Sequence, residues 1–261
     1  MNIEALTTAF ADYYRSFPSA DMNDLKYEHT RRVVANAKRI ITGEHFPSLL
    51  HTLGEVAAWL HDLGRFRQFQ QYHTFNDSQS VNHALLSCGE TLRLGWLDDF
   101  SAADRNLILR AIEFHNLCEV PLALSLHETL MVHLVRDADK LDIFTVLDQA
   151  IETDYLPSHP EVYWGLPLKD PPSEGIIASL YAGRAIHYTD IRSFADFIFI
   201  QLGWFNGGLH FIESHRIALE RNEVSIRRQY LCELLPNHRE VVNRCCDFAQ
   251  SALERRARGE Q

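Results

Sequence analysis

Apolar residues return every three to four positions through most of the first 150 residues, while β-branched alternation bounded by tight turns is scarce. A chain patterned in this way buries its apolar stripes helix against helix, so an all-α bundle is expected. The periodicity predicts helices near residues 2–16, 24–42, 49–64, 79–94, 102–116 and 126–151, with ends good to a few residues. After Asp154 the run LPSHPEVYWGLPLKDPPSEG, ending at Gly175, is too rich in proline and glycine for a regular element and reads as a long loop. Helical patterning resumes near 176–186, 190–220, 223–235 and 237–257. The expected organisation is one helical domain over 1–261, with its core at about 24–150 and the helices of about 176–257 packed on it as a C-terminal extension.

The formal net charge of −10 argues against an extended nucleic acid as partner, because such binding requires a basic stripe. A small anionic substrate remains compatible, since a metal ion supplies local positive charge whatever the global balance. The opening MNIEALTTAF lacks a basic n-region and a long apolar h-region, so a cytoplasmic protein is expected. No membrane span is expected either. The most apolar run, Phe194 to Phe205, is interrupted by Asp196 and Gln201 and falls short of the roughly 20 residues a span requires. The odd set Cys88, Cys118, Cys232, Cys245 and Cys246 has no CxxC spacing and reads as reduced core thiols. Oligomeric state is open at this stage.

Chemistry enters where ligand-type residues interrupt apolar stripes. Val132, Val135, Asp139 and Val146 share helical spacing, which puts a carboxylate on a core-facing stripe. An ionised carboxylate there must pair, neutralise or bind a metal. His115 follows Ile108 and Ile112 in the same manner, and His29 precedes Val33, Ala37 and Ile40 along one face. His61 and Asp62 end an apolar helix (Val56, Ala57, Trp59, Leu60) before Gly64, a residue suited to a C-cap. Adjacent side chains diverge by about 100° on a helix, so both reach one site only near its end. His83 opens a helix after the polar segment NDSQSV, which is expected to cap it. Singly, each histidine is more often a hydrogen-bonded core residue; jointly, several buried imidazoles and two carboxylates call for a shared cation.

The order His29, His61–Asp62, His83, His115, Asp139, in the contexts KYEHTRRV, AAWLHDLGRF, SVNHALLS, IEFHN and RDADKLDIF, resembles the HD-domain metal-dependent phosphohydrolase superfamily over about residues 24–150. The segments HDLGRF, QYHTFNDSQSVNHA and RDADKLD are similar to a bacterial subgroup, in which Trp204–Phe205 also looks like a shared feature. The resemblance implies an HD-domain helical bundle in which His29, His61, Asp62 and Asp139 hold one divalent metal. It further implies that His83 and His115 hold a second, with Asp62 bridging. A His-rich site with carboxylates suits manganese, iron, nickel, cobalt or zinc better than calcium.

On this resemblance the substrate is a small phosphorylated molecule, with a nucleotide favoured, and a phosphate ester or anhydride is cleaved by a metal-activated water. Arg65 and Lys140 are the cations expected to neutralise the phosphate beside Asp62, set against structural pairing of the same side chains, for instance Lys140 with Asp137 or Asp142. Lys26, three residues before His29, is a weaker candidate. Two alternatives use the same ligands: an HD-fold oxygenase with two irons, for which Tyr27 and Glu28 stand near His29 as gating candidates although Glu28, immediately before a ligand on a helix, points elsewhere, and a metal-binding sensor domain without catalysis. The spacing of His127 and His133 in HETLMVH does not make a zinc motif. His45, His51, His159, His187, His210, His215 and His238 carry no pattern, and His73 is kept only as a residue that lines the pocket.

Overall fold

The computed structural model describes residues 2–153, 155, 156, 163, 165–186 and 188–260. They form an all-α protein, with no strand among the described residues. The chain divides into two compact units, Met1–Asp142 and Ile143–Gln261.

The first unit contains α1 (Ile3–Arg15), α2 (Asp21–Gly43), α3 (Ser48–Leu60), α4 (Gly64–Tyr72), α5 (His83–Arg93), α6 (Ala102–Phe114) and most of α7 (Leu126–Glu152). α2 packs on α3, α3 on α6, α5 on α6 and α4 on α5. Its core is aliphatic around Val33, Ile40, Leu53 and Ile112, with an aromatic corner where Phe10 lies 5.1 Å from Trp59 and 5.8 Å from Phe66. Short polar side chains start the helices. Asn82 Oδ1 accepts from the amides of Ala84 and Leu85 at α5, and Ser101 Oγ accepts from Asp104 N at α6. Caps of this kind are worth about 1 kcal/mol each.

The expected helix over 49–64 stops at Leu60, and a separate helix, α4, follows from Gly64. Gly64 is therefore not a C-cap. A Cβ there would sit 2.6 Å from Ser87 N and 2.9 Å from Leu86 C, so the residue is small because α4 meets the backbone of α5. The helix expected over 79–94 begins only at His83, after a short 3₁₀ turn at Asp77–Gln79.

The second unit holds α8 (Glu174–Ala182), α9 (Phe194–Gly203), α10 (Ile212–Glu220), α11 (Glu223–Leu234) and α12 (Arg239–Ala257), with α12 packed on α8, α9, α10 and α11. The single element expected over 190–220 is broken between α9 and α10. The amides of Gly208 and Leu209 fold back onto the Trp204 carbonyl, and a Cβ on Gly208 would lie 2.8 Å from Trp204 Cα. Trp204 and Phe205 each pack a ring 5.3 Å from that of Phe144, which gives the dipeptide a structural role. Within the expected loop, the described residues 165–173 are irregular, whereas Asp154 and residues 157–162 and 164, among them His159, lie outside the described set, as does His187. Among the described residues no helix is long and apolar enough to cross a membrane.

Candidate metal centre

All six ligand-type residues singled out in the sequence converge in the first unit. His29 comes from the middle of α2 and Asp139 from the middle of α7, while His83 is the first residue of α5. His61 and His115 occupy equivalent local positions, each the residue just past a helix, at the ends of α3 and α6. There each Nδ1 donates to the carbonyl three residues back, Ala58 O at 2.8 Å and Ile112 O at 2.7 Å. These are carbonyls that a helix end leaves without an amide partner, so one bond satisfies the terminus and fixes the ring. Arg136 of α7 supports this corner by donating Nη1 to the carbonyls of Phe114 and His115 at 3.1 Å each. Asp62 follows His61 in the turn between α3 and α4, where His61 and Leu63 keep helical dihedrals, and at this helix end His61 Nε2 and Asp62 Oδ2 come within 3.8 Å of each other.

The two remaining imidazoles lean on carboxylates. His29 Nδ1 donates to Asp142 Oδ2 at 2.7 Å, and His83 Nδ1 donates to Asp77 Oδ2 at 2.6 Å. All four rings thus have an acceptor at Nδ1, which assigns the proton to that nitrogen and turns all four Nε2 lone pairs inward.

Those lone pairs meet the two oxygens of Asp62. Oδ2 lies 3.6 Å from His29 Nε2 and 3.8 Å from His61 Nε2, while Oδ1 lies 3.5 Å from His83 Nε2 and 3.8 Å from His115 Nε2. Asp139 Oδ1 completes the first side, 3.2 Å from His29 Nε2 and 3.9 Å from His61 Nε2. Two atoms each about 2.1 Å from one ion stand roughly 3.0–3.4 Å apart at octahedral or tetrahedral angles, and the observed spacings fall close to that range. Two sets, His29 with His61 and Asp139, and His61 with Asp62 and His115, are grouped tightly enough to hold an ion.

The polar atoms themselves call for a cation. His29 Nε2, His61 Nε2 and Asp62 Oδ1 are buried and have no hydrogen-bond partner, and His83 Nε2 faces His115 Nε2 at 3.0 Å. With Nδ1 protonated on both rings, that last contact opposes two lone pairs unless a positive charge sits between them. The residues present therefore fit a metal ion.

Electrostatics point the same way. Burial pushes His61 and His83 down, and burial together with His83 and His61 pushes His115 down to about 3. Neutral imidazoles are the form that binds metal. Burial would raise Asp62 and Asp139, but Lys26, His61 and Arg65 around Asp62, and His29 and His61 around Asp139, hold both below the usual carboxylate range. His29 is the exception: burial and Lys26 would lower it, yet Asp139 and Asp142 together raise it.

Lys26 Nζ donates to Asp62 Oδ2 at 2.8 Å and lies 5.5 Å from the centre of the Phe75 ring. Arg65 Nε is 3.4 Å from Asp62 Oδ1, but its Nη1 donates to Gln68 Oε1, to the Phe75 carbonyl and to Asp77 Oδ1. It braces the segment that carries Asp77. Burial, followed by the charge of Arg136, lowers Lys140 to about 8, with Asp137 and Asp139 opposing. His73 caps α4 in a left-handed conformation and is exposed.

Asp77, Asp142 and Arg32 were not assigned to the site from sequence, although Asp142 stands within RDADKLD three residues after Asp139, where a helix repeats its face. Comparisons of the chain with protein-family models, with curated proteins and with solved structures returned no match.

Proposed function

We propose that the chain is a metal-dependent hydrolase of phosphate ester or anhydride bonds in a small phosphorylated molecule, with nucleotides the first class to try. The observation that carries this reading is Asp62, whose two oxygens face two different sets of buried imidazole lone pairs. This geometry, joined to the order of residues resembling the HD-domain superfamily, favours two ions with a shared carboxylate. His29, His61 and Asp139 would hold one and His83 and His115 the other, with Asp62 between them. Manganese, iron, nickel, cobalt and zinc all suit these donors.

Bound in such a site, paired divalent ions lower the pKa of a water molecule and neutralise charge that develops on a phosphoryl oxygen. The chain supplies the rest. Asp77 and Asp142 keep the His83 and His29 protons on Nδ1, so their Nε2 atoms stay available. Lys26, with a side chain 15% exposed, is placed to exchange Asp62 for a phosphate oxygen as a point charge. Arg65 contributes by bracing Asp77 rather than by gripping phosphate with Nη1. The oxygenase alternative draws no support from Tyr27 and Glu28: Tyr27 stacks on Tyr14 at 4.4 Å, and Glu28 pairs with Arg31 at 3.0 Å.

Elemental analysis of the purified protein, run beside hydrolysis of a nucleotide panel and a generic phosphodiester with each metal added, tests the reading. Close to two ions per chain with phosphate release abolished in Asp62→Ala is expected. Two irons with oxygen consumption and no hydrolysis would replace it by the oxygenase. Two ions with neither reaction would leave a sensor domain.

A further inference from the structure

The four imidazoles differ in what holds them from behind. His61 and His115 lean on main-chain carbonyls, whereas His29 and His83 lean on the carboxylates of Asp142 and Asp77. Each carboxylate is anchored separately. Asp142, 1% exposed, accepts from Arg32 Nε at 2.6 Å through Oδ1 and from Arg32 Nη2 at 3.1 Å through Oδ2. Asp77 Oδ1 accepts from Arg65 Nη1 at 3.1 Å and from Gln68 Nε2 at 3.0 Å. Asp142 belongs to α7 and Arg32 to α2, while Asp77 lies in the segment between α4 and α5 and its partners on α4. The two anchors share no residue.

The oxygen of Asp62 that faces each ring separates them further. His29 stands on the Oδ2 side with His61, and His83 on the Oδ1 side with His115. Each side of the site has one histidine backed by a carbonyl and one backed by a carboxylate. A carboxylate partner makes the imidazole a stronger donor to metal than a carbonyl does and fixes its orientation, and loss of such a partner weakens metal binding roughly 10- to 100-fold.

On the two-ion reading above, we propose that Asp142 and Asp77 are positioning residues assigned one to each ion, Asp142 to the ion of His29 and His61 and Asp77 to the ion of His83 and His115, so that each affinity is set independently. Neither carboxylate is itself a ligand in this scheme. Replacing either weakens one ion and spares the other.

The test is titration of the full-length, metal-stripped protein with cobalt(II), followed by calorimetry and by the visible absorption of the bound ion, with circular dichroism to confirm the fold. Asp77→Asn and Asp142→Asn are each expected to lower one of two affinities by 10- to 100-fold and to leave the other within about threefold. Combination with His115→Ala assigns the ion. Asp77→Asn should then cost nothing further, because that ion is already lost, while Asp142→Asn should weaken the one that remains.

Should either asparagine variant fail to fold, Arg32→Gln and Gln68→Ala loosen the same two anchors and carry the same expectation. Wild-type protein that binds fewer than two cobalt ions overturns the two-ion reading itself. Two wild-type ions whose affinities are both unchanged, or are weakened equally, in the two variants leave that reading standing and overturn the assignment of one carboxylate to each ion.

Discussion

Lys26 Nζ donates to Oδ2 of Asp62 across 2.8 Å, in a site where both side chains are at least 85% buried. The ammonium thus occupies the approach to one of the oxygens that a divalent ion would use, and the two cations compete for it. Lys26→Met keeps the aliphatic stem and deletes the charge. Metal affinity should hold or rise, while kcat/KM for a phosphorylated substrate should fall about 10- to 100-fold, equivalent to roughly 1.4–2.7 kcal/mol of transition-state binding. Metal titration and steady-state kinetics on one preparation check both halves. A fall in metal affinity with kinetics otherwise unchanged would assign Lys26 to structure.

His61, His83 and His115 are all held below the ordinary imidazole range by burial, His115 at about 3. The unfolded chain therefore takes up protons below about pH 6.5 that the folded, metal-free protein does not. Stability falls as pH drops from 7 to 5, by about 1.4 kcal/mol per pH unit for each such group at the limit. His29, which is raised, acts the other way: its contribution is complete below about pH 6.5 and declines as pH rises through its folded value, so it offsets part of this slope near pH 7 and none of it lower down. Urea midpoints of metal-free protein at pH 7, 6 and 5 measure the effect. Manganese at about 100 times its dissociation constant should add about 2.7 kcal/mol at pH 7. A midpoint that stays flat across this range in the Glu223→Gln background, where the opposing carboxylate is removed, would mean that the three rings are solvated.

At Gly64 the backbone of α4 approaches that of α5, and its amide donates to Ser87 Oγ at 2.9 Å. The atoms that a Cβ would meet, Ser87 N at 2.6 Å and Leu86 C at 2.9 Å, are main chain and cannot rotate away. Gly64→Ala should cost about 1–3 kcal/mol by overpacking and should disturb Asp62 and Arg65 on either side. Thermal unfolding and metal content of the variant would show both effects; an unaltered Tm would mean that the two helices separate easily.

The parts of this site that were legible in the sequence are those where chemistry contradicts local pattern. Asp139 and His115 stand out because an apolar stripe has no other use for them, and the all-α class follows from periodicity over long helices. What stayed hidden depends on three-dimensional neighbours. The turn at His61–Asp62 leaves no proline or exposed glycine as a mark, so α3 reads as a helix running on to a cap at Gly64, and α4 goes unread. Asp77 looks like one more polar residue of a loop until the chain returns it to His83 Nδ1. Arg65 reads equally as a phosphate ligand, because its spacing from Asp62 fits, and as a structural partner, and only the structure shows Nη1 shared among Gln68, Phe75 and Asp77.

The second unit contains a charge cluster whose sign of pH dependence is opposite to that of the histidines. Arg227, fully buried, donates from Nη1 to Glu223 Oε2 at 2.7 Å and to Asp148 Oδ1 at 3.1 Å, from Nε to Gln201 Oε1 at 2.9 Å, and lies 4.4 Å from the Phe144 ring centre. One guanidinium faces two carboxylates, so burial and their mutual repulsion favour the protonated form of one of them. Burial raises Glu223 to about 8, against the pull of Arg227, and raises Asp148 as well. A raised carboxylate contributes stability that is complete below its unfolded value and disappears as pH rises through its folded one. Unfolding free energy from this cluster should thus decline between about pH 5 and 8, by at most about 1.4 kcal/mol per unit for one proton. Glu223→Gln removes the titrating group while keeping its shape, and the difference in urea stability between wild type and variant isolates the cluster from the histidines. Relative to wild type, the variant should gain stability as pH rises from 6 to 8.5, whereas Arg227→Met, which strands two buried carboxylates, should lose about 3–5 kcal/mol at pH 8. A difference between wild type and Glu223→Gln that does not vary with pH would show that the pair is fully ionised and that Arg227 alone balances both charges.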